Sequence, residues 1–546
     1  MDFIQPAPEL ANPYRDDRVL RSWLARALPD AVHRAIAADL DALGAEAVRA
    51  WRHARERSPR APVLTQWDAW GRRIDRIELT PVWQEGAAMA ARYGFVAAGH
   101  EPTHGVHARS DQFLRVYLWH VASEFYTCPL AMSDGAATAL KAAGAQALVE
   151  RALPRLLSRD PATLWLSGQW MTETAGGSDV ARTGTVARRD GDGAWRLHGR
   201  KWFSSAVVGD MALALALARP EGAPDALALF YVESRDAAGC WNGIRIDRLK
   251  DKLGTRELPT AEIHLEGTRA ELVGDAAHGV RLIAPVLNVT RTWNAVCALA
   301  TMRRCLALAV DYAAKRQVFG AALAEQPLHR ATLAGLAASF EAAFHLVFHV
   351  VALLGRVEHG DDADRDLLRV LTPLAKLWTG KLAVAIASET CEAFGGAGYI
   401  ENTGIPQLLR DAQVYPIWEG TTNVLALDTL RALGAVGFAP LRRGAEALLG
   451  EAGADPHGVL ATLVEAEHWL GRHASDRDLL QASARPLAFT LARTFAAALL
   501  ARHAAWAHGQ GDRRPAAALQ LFAADGLSRL GAPDMDAIGL LADNRG

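Results

Sequence analysis

In this 546-residue sequence, the side chain best suited to take a proton from carbon is Glu419, in the run Tyr415-Pro-Ile-Trp-Glu-Gly-Thr-Thr-Asn423. The carboxylate directly precedes Gly420, at the expected start of a helix. A helix N-terminus favours the charged carboxylate, while burial among Tyr415, Ile417 and Trp418 raises its pKa. A base balanced between those effects suits proton abstraction. Taken alone, the same run also fits a helix-start glutamate facing the dipole.

Four other runs carry chemistry of a complementary kind. In Gln169-Trp-Met-Thr-Glu-Thr-Ala-Gly-Gly-Ser-Asp179 a small-residue turn is flanked by hydroxyls and acids. Backbone N–H groups in such a turn can approach an anionic or acceptor-rich ligand closely, although a ligand-free turn has the same composition. Its spacing is not that of a Gly-x-Gly-x-x-Gly dinucleotide fingerprint. Lys201-Trp-Phe-Ser-Ser205 sets aromatics beside hydroxyls on a strand edge, where a flat ring could stack and be hydrogen-bonded. Arg316-Gln-Val-Phe-Gly320 ends a helix with an arginine able to pair with phosphate or to complement the helix C-terminus. Phe394-Gly-Gly-Ala-Gly-Tyr399 ends another helix, with more glycine than a cap requires.

The elements that must position these runs fall into four stretches. Up to residue 163 apolar residues recur at helical spacing, in Val19–Ala27, Ala31–Trp51 and Asp111–Ser123. Within this stretch, residues 66–75 read as a hairpin or loop and Arg76–Leu79 alternates like a strand. Residues 164–275 carry short strand-like runs: Leu164–Trp170, Thr185–Arg189, Ala194–His198, Ala226–Val232, Ile244–Leu249 and Ala261–Leu265. They predict a mostly antiparallel β-domain. Residues 276–433 predict a helical bundle from Val296–Gln317, Leu328–Val357, Asp364–Phe394 and Gly420–Leu433. Residues 434–546 form an Ala/Leu-rich helical extension. The expected class is α+β, mainly α.

Composition bounds the rest. Half the residues are apolar, 22% are charged and the net charge is −2, so no global field draws the chain to nucleic acid or to an anionic membrane. Cys128, Cys240, Cys297, Cys305 and Cys391 lack Cys-x-x-Cys spacing, which predicts buried thiols in a reducing compartment and no metal site. The N-terminus has no signal-peptide pattern, and apolar stretches such as Met211–Ala218 are too short to span a bilayer. A cytoplasmic enzyme with no membrane partner is expected.

Together, in this order and spacing, the runs resemble the acyl-CoA dehydrogenase family. The motifs are Thr-Glu-x-x-x-Gly-Ser-Asp, Lys-x-aromatic-x-hydroxyl, Arg-x-x-Phe-Gly, Gly-Gly-x-Gly-Tyr and Glu-Gly-Thr, over roughly residues 100–433. The AidB-like subgroup is similar over most of the chain. Its variants appear at residues 171–180, at Lys201-Trp-Phe203, at Leu249-Lys-Asp-Lys-Leu-Gly254, at Ile417-Trp-Glu-Gly420 and at Gly71-Arg-Arg-Ile-Asp75. The resemblance implies bound FAD. Met171, Thr172 and Ser178 would contact the flavin or its pyrophosphate, with Phe203, Ser204 and Ser205 at the ring. Thr421 and Asn423 would sit beside the cofactor, and Ser178, Trp418 and Gly420 at the substrate. A neighbouring subunit of a homotetramer would supply Arg316, Phe319, Gly395 and Gly396. The implied reaction is α,β-dehydrogenation of an acyl-CoA thioester. Glu419 takes the Cα proton, the Cβ hydride passes to flavin N5, and an external electron acceptor reoxidises the flavin.

The sequence departs from the family pattern in places. Glu392 stands where Gln is common before the paired glycines, and the Gln that usually follows Arg-x-x-Phe-Gly is displaced to Gln326; the resemblance implies that both still contact the cofactor. Some relatives place the base on the segment after Lys-Leu-Gly. Thr260 stands at that position with Glu262 nearby, which favours Glu419. Ala261 replaces an Arg found in several relatives, which argues against ordinary short- and medium-chain substrates. The second hypothesis is a DNA-protecting flavoprotein using a basic C-terminal region. Residues 434–546 hold 11 Arg and no Lys against 12 Asp plus Glu, which does not favour DNA binding.

Overall fold

The computed structural model describes residues 6–56, 61–219, 225–531 and 533–543. They form two compact units: Glu46–His104 with Asp111–Trp293, and Met1–Ala45 with Gly105–Ser110 and Asn294–Gly546.

The first unit is built on strands. A hairpin of β1 (Val63–Trp67) and β2 (Arg73–Glu78) precedes β3 (Ser167–Trp170), β4 (Val186–Arg189), β5 (Trp195–Ser205), β6 (Met211–Ala218), β7 (Ala226–Glu233), β8 (Ile244–Leu249) and β9 (Thr260–Leu272). Strands β6, β4, β5, β9 and β7 pair in that order, and β7 pairs back to β6, so the sheet closes on itself; β3 joins β6 and β8 joins β9. Most pairings are antiparallel as expected, but β3 and β4 both run parallel to β6.

Strand β6 falls on the run Met211–Ala218, which the sequence offers only as an apolar stretch too short for a bilayer. Its alternation is absent because both faces are buried. Ala212, Ala214 and Ala216 pack inside the sheet with Trp170, Phe230 and Ile263. Met211, Leu213 and Leu215 pack against the helices Thr127–Ala142 and Gln146–Leu156 through Leu140, Leu148 and Ala152. Strands β5 and β9 run well beyond the expected Ala194–His198 and Ala261–Leu265. The segment Gly71-Arg-Arg-Ile-Asp75 enters β2 and docks on β8. Arg73 donates to the Ile246 carbonyl at 2.6 Å, and the buried Asp75 carboxylate accepts from the Ile246 N–H at 3.0 Å.

The second unit is helical. Its main helices are Arg18–Ala27, Pro327–Glu358, Arg365–Ala393, Thr422–Val436, Ala439–Ala452, Arg477–Gly509 and Arg514–Ala524. Asp17 caps the first of these by accepting from the Val19 and Leu20 N–H groups, and Asp476 caps Arg477–Gly509. Arg109 closes a bidentate pair on Glu358 at 2.6 and 2.8 Å. The helix expected at Val296–Gln317 begins earlier, at Gly279, and ends at Lys315. Gln317–Val318 instead pairs with Ala321–Ala322 in a tight hairpin, so Arg316–Gly320 is a turn beyond a helix and not its last turn.

Two further expectations need correction. Cys128, Cys297 and Cys305 are buried, but Cys240 is exposed. Three helices, Gly279–Lys315, Pro327–Glu358 and Asp362–Ala393, are long and apolar enough to cross a membrane by length and composition. Their apolar windows are mostly buried inside the protein, as for helices that are hydrophobic all round in a large core.

Candidate active site

In the strand unit the ligand-facing candidates gather on β5 and the turn after β3. Met171 and Thr172 follow β3 directly and are half-buried, and the Thr172 carbonyl accepts from the Trp202 N–H at 2.9 Å. Glu173 and Gly176 exchange backbone hydrogen bonds, and a Cβ on Gly176 would lie 2.5 Å from the Asp179 carbonyl oxygen, so this turn closes only with glycine. The turn leaves Ser178 exposed.

What fixes the turn is a buried ion pair. Lys201 Nζ donates to Glu173 Oε1 at 2.6 Å and to the Leu215 carbonyl at 2.8 Å. The same carboxylate accepts from Gly184 N at 2.7 Å and Thr185 Oγ1 at 2.6 Å. Burial alone would raise the Glu173 pKa, but the Lys201 charge and these hydrogen bonds outweigh it and bring it down. Burial lowers the Lys201 pKa against the pull of Glu173. With its donors and acceptors satisfied, the pair ties the turn rigidly to β5.

Strand β5 carries a bulge where the aromatics sit. Lys201 pairs with Ile263 and Ser204 with Ala261, leaving one extra residue on β5. A bulge re-aims side chains, so Trp202 and Phe203, though consecutive, are both about two-fifths exposed. Ser204 falls on the buried side with Lys201, away from the surface that Phe203 and Ser205 line. Ser205 Oγ lies 3.3 Å from Thr260 Oγ1, which also accepts from Lys252 Nζ at 3.0 Å.

Glu262 does not resemble a base. It accepts from Arg248 at 2.7 and 3.0 Å and from Lys250 at 2.6 Å. The Arg248 hydrogen bonds and then those of Lys250 hold its carboxyl down at about 2. A carboxylate so committed to two cations is poorly disposed to accept a proton from carbon.

In the helical unit Glu419 sits in a chain of turns, residues 413–420, before the helix Thr422–Val436. Thr421 is the N-cap and accepts from Val424 N at 3.4 Å, so Glu419 lies outside the helix. Its φ is +57°, in the left-handed region, and that of Gly420 is +99°. A helix-start glutamate would be right-handed, so that alternative reading of the run fails. A left-handed non-glycine residue costs on the order of 1–2 kcal/mol and persists only where its surroundings dictate it.

Three contacts dictate it here. Lys376, fully buried on Arg365–Ala393, donates to the Gly420 carbonyl at 2.6 Å. Gly380 lies one turn along, where a Cβ would be 3.1 Å from Tyr415 and Pro416 backbone atoms. The buried Tyr415 hydroxyl is 2.7 Å from Thr301 Oγ1. Glu419, Trp418 and Gly420 are half-buried, whereas Ile417 is exposed and does not form the apolar wall expected of it. Thr421 and Asn423 are exposed, and Asn423 Oδ1 lies 3.5 Å from Arg485.

Lys376, Gly380 and Thr301 were not singled out from the sequence. Lys376 did leave a signal: a lone lysine in the apolar run Leu374-Ala-Lys-Leu-Trp378 must find an oxygen inside the protein.

The residues expected to serve a neighbouring subunit are at the surface of the helical unit. Phe319, at the hairpin tip with φ +48°, is 99% exposed. Arg316 is half-buried, and Gln326 donates back to the Val318 carbonyl at 3.4 Å, bracing that hairpin. Glu392, Gly395 and Gly396 are exposed beside Tyr399. Phe394 holds this turn by stacking on Tyr312 with centroids 4.3 Å apart. A Cβ on Gly398 would fall on the Cys391 carbonyl oxygen, at 1.9 Å. Among the described residues no group of three or more His, Cys, Asp or Glu is arranged to hold a metal ion.

Comparison with known proteins agrees with the domain order and fold. Residues 168–268 match the acyl-CoA dehydrogenase middle domain and 277–434 its C-terminal domain. Residues 5–161 match the adaptive response protein AidB N-terminal domain, and 457–525 the acyl-CoA dehydrogenase 11 C-terminal domain-like family. The chain is 41% identical to acyl-CoA dehydrogenase family member 11 of Caenorhabditis elegans, over 92% of this chain and 86% of that protein. It is 34% identical to the putative acyl-CoA dehydrogenase AidB of Escherichia coli K12, over 68% and 69%. The crystal structure of Caenorhabditis elegans ACDH-11 in complex with C11-CoA superposes with a TM-score of 0.94 at 38% identity, covering 100% of this chain and 97% of that one. With motifs, domain order and fold in agreement, the chain belongs to the acyl-CoA dehydrogenase family of oxidoreductases, in the branch that carries an AidB-type N-terminal domain.

Proposed function

We propose that the protein is an FAD-dependent dehydrogenase that removes a proton and a hydride from Cα and Cβ of an acyl-CoA thioester, with Glu419 as the base. The observation that carries this reading is the left-handed Glu419, held on a loop pinned by Lys376, Gly380 and Tyr415. A carboxylate held at a costly backbone angle within a Trp-Glu-Gly-Thr run of this family supports a positioned base.

The strand unit fits a flavin. Its bulge presents the Trp202 and Phe203 rings to the surface beside Ser205, and the glycine turn after β3 offers Ser178 and the backbone around Met171 and Thr172. Bound FAD supplies the hydride acceptor. The chain's own contribution is placement: the Glu173–Lys201 pair keeps the turn against β5, and the Glu419 carboxylate receives the Cα proton. The exposed Phe319 and Tyr399 support assembly into a homotetramer in which these surfaces serve a neighbouring copy. Light scattering should give about four times the mass of one chain, and a monodisperse monomer would contradict this assembly.

The test is anaerobic mixing of the yellow holoprotein with acyl-CoA thioesters of increasing chain length, read by flavin absorbance. C11-CoA belongs in that panel, since it is the ligand in the ACDH-11 structure. Bleaching by at least one thioester is expected, and a flavin that stays oxidised across the panel would overturn the assignment.

A further inference from the structure

Lys250 follows β8 and turns inward. Its ammonium lies 3.9 Å from the centroid of the Trp202 ring and 4.7 Å from that of Phe203. The two rings meet edge to face, with centroids 4.8 Å apart and planes at 83°. A lysine at a surface with exposed aromatics would ordinarily extend its head into water. Here the side chain is only 10% exposed, because Nζ is also bound to Glu262 Oε1 at 2.6 Å. Glu262 stands opposite Arg248 across the β8–β9 ladder, and Arg248 grips the same oxygen at 2.7 Å. The network runs from a strand-pairing position, through a carboxylate and an ammonium, to two rings that a bulge has pushed out of the sheet.

Each link has a physical reason. The bulge removes the pleat that would otherwise fix the direction of Trp202 and Phe203. Two adjacent, partly exposed aromatics then have rotamer freedom that the sheet does not restrict. A cation over the faces of both rings restores the restriction, and such a contact gains strength as water is excluded. Glu262 stops the ammonium from leaving for solvent, and Arg248 fixes Glu262 in turn.

We propose that Lys250 is a positioning residue that locks the Trp202–Phe203 pair into the pose that receives the flat ring of the flavin, with Glu262 as its anchor. The inference rests on the FAD reading above. It assigns a task to the carboxylate that the sequence offered as a rival base.

The experiment compares wild type with Lys250→Met, Lys250→Arg and Glu262→Gln. The near-ultraviolet circular dichroism difference between each flavin-stripped variant and wild type reports the change at the ring pair. Titration of FAD into the same proteins gives affinity, and visible circular dichroism of the holoproteins gives the flavin's asymmetry. Lys250→Met should lose near-ultraviolet aromatic signal, bind FAD about tenfold more weakly and show a changed visible band, with the far-ultraviolet spectrum retained. Lys250→Arg should restore all three, and Glu262→Gln should fall between. If wild type binds FAD and Lys250→Met matches it in affinity and in both spectra, the positioning role is overturned. If wild type takes up no FAD, the flavin reading falls and this inference falls with it.

Discussion

Two glutamates of this chain show how surroundings decide what a carboxyl group can do. Glu262 is held ionised by two cations and is a structural anion. Glu341, fully buried on Pro327–Glu358, is the opposite case. Burial is the largest influence on it, Arg514 at 3.3 Å opposes burial, and Asp17 and Asp512 add to it, so its pKa is raised from 4.5 to about 7. The folded state therefore keeps a proton that the unfolded state has lost between about pH 4.5 and 7. Stability should fall as pH rises through that window, by on the order of 3 kcal/mol in total. Glu341→Gln should flatten this dependence and leave the protein more stable at pH 8, as read by urea unfolding at pH 5 and pH 8. An unchanged pH dependence would show that the carboxyl is solvated.

At the scale of elements, the loop that carries Glu419 is held less by its own sequence than by the helix beneath it. Lys376→Met keeps the buried stem but leaves the Gly420 carbonyl without its donor, a loss of about 1–3 kcal/mol. With the loop free to relax from its left-handed turn, kcat should drop at least tenfold while FAD content and KM change little, measured by steady-state kinetics. Equal loss in kcat and FAD content would point to general unfolding instead. This scale also separates what the sequence made legible from what it did not. Helices such as Pro327–Glu358 and Arg365–Ala393 were readable nearly to the residue, because long apolar periodicity and a proline or glycine at the ends leave little choice. Strand β6 was not recognised, since burial on both faces erases the period-two signal. The bulge at Trp202–Phe203 was invisible for another reason: it is a property of register against β9, which no local pattern records. Glu419 is offered as the base by type and neighbours, yet the helix-start argument misplaces it. The helix begins two residues later, at Thr422, and the left-handed angle is imposed by Lys376 and Gly380, some 40 residues away in sequence.

For the whole molecule, the C-terminal extension bears on the choice between enzyme and nucleic-acid binder. Some of its arginines are engaged within the protein: Arg442 with Glu467 at 3.0 Å, Arg493 with Asp525 at 2.9 Å and Arg514 with Glu341 at 3.3 Å. A DNA-binding face needs a net basic bias, and residues 434–546 carry 11 Arg and no Lys against 12 Asp plus Glu. No mobility shift of duplex DNA is expected at low salt, and a salt-sensitive shift lost in the Arg513→Ala, Arg514→Ala double variant would revive the DNA reading. The extension instead packs on the bundle, with Arg477–Gly509 placing Phe495 and Leu499 in a fully buried core. The most direct measurement of the central claim is single-turnover flavin reduction by a reactive acyl-CoA, under anaerobic conditions, in wild type and Glu419→Gln. The amide should leave FAD bound and the fold intact while slowing bleaching by at least a thousandfold. Bleaching at the wild-type rate would show that another group takes the Cα proton.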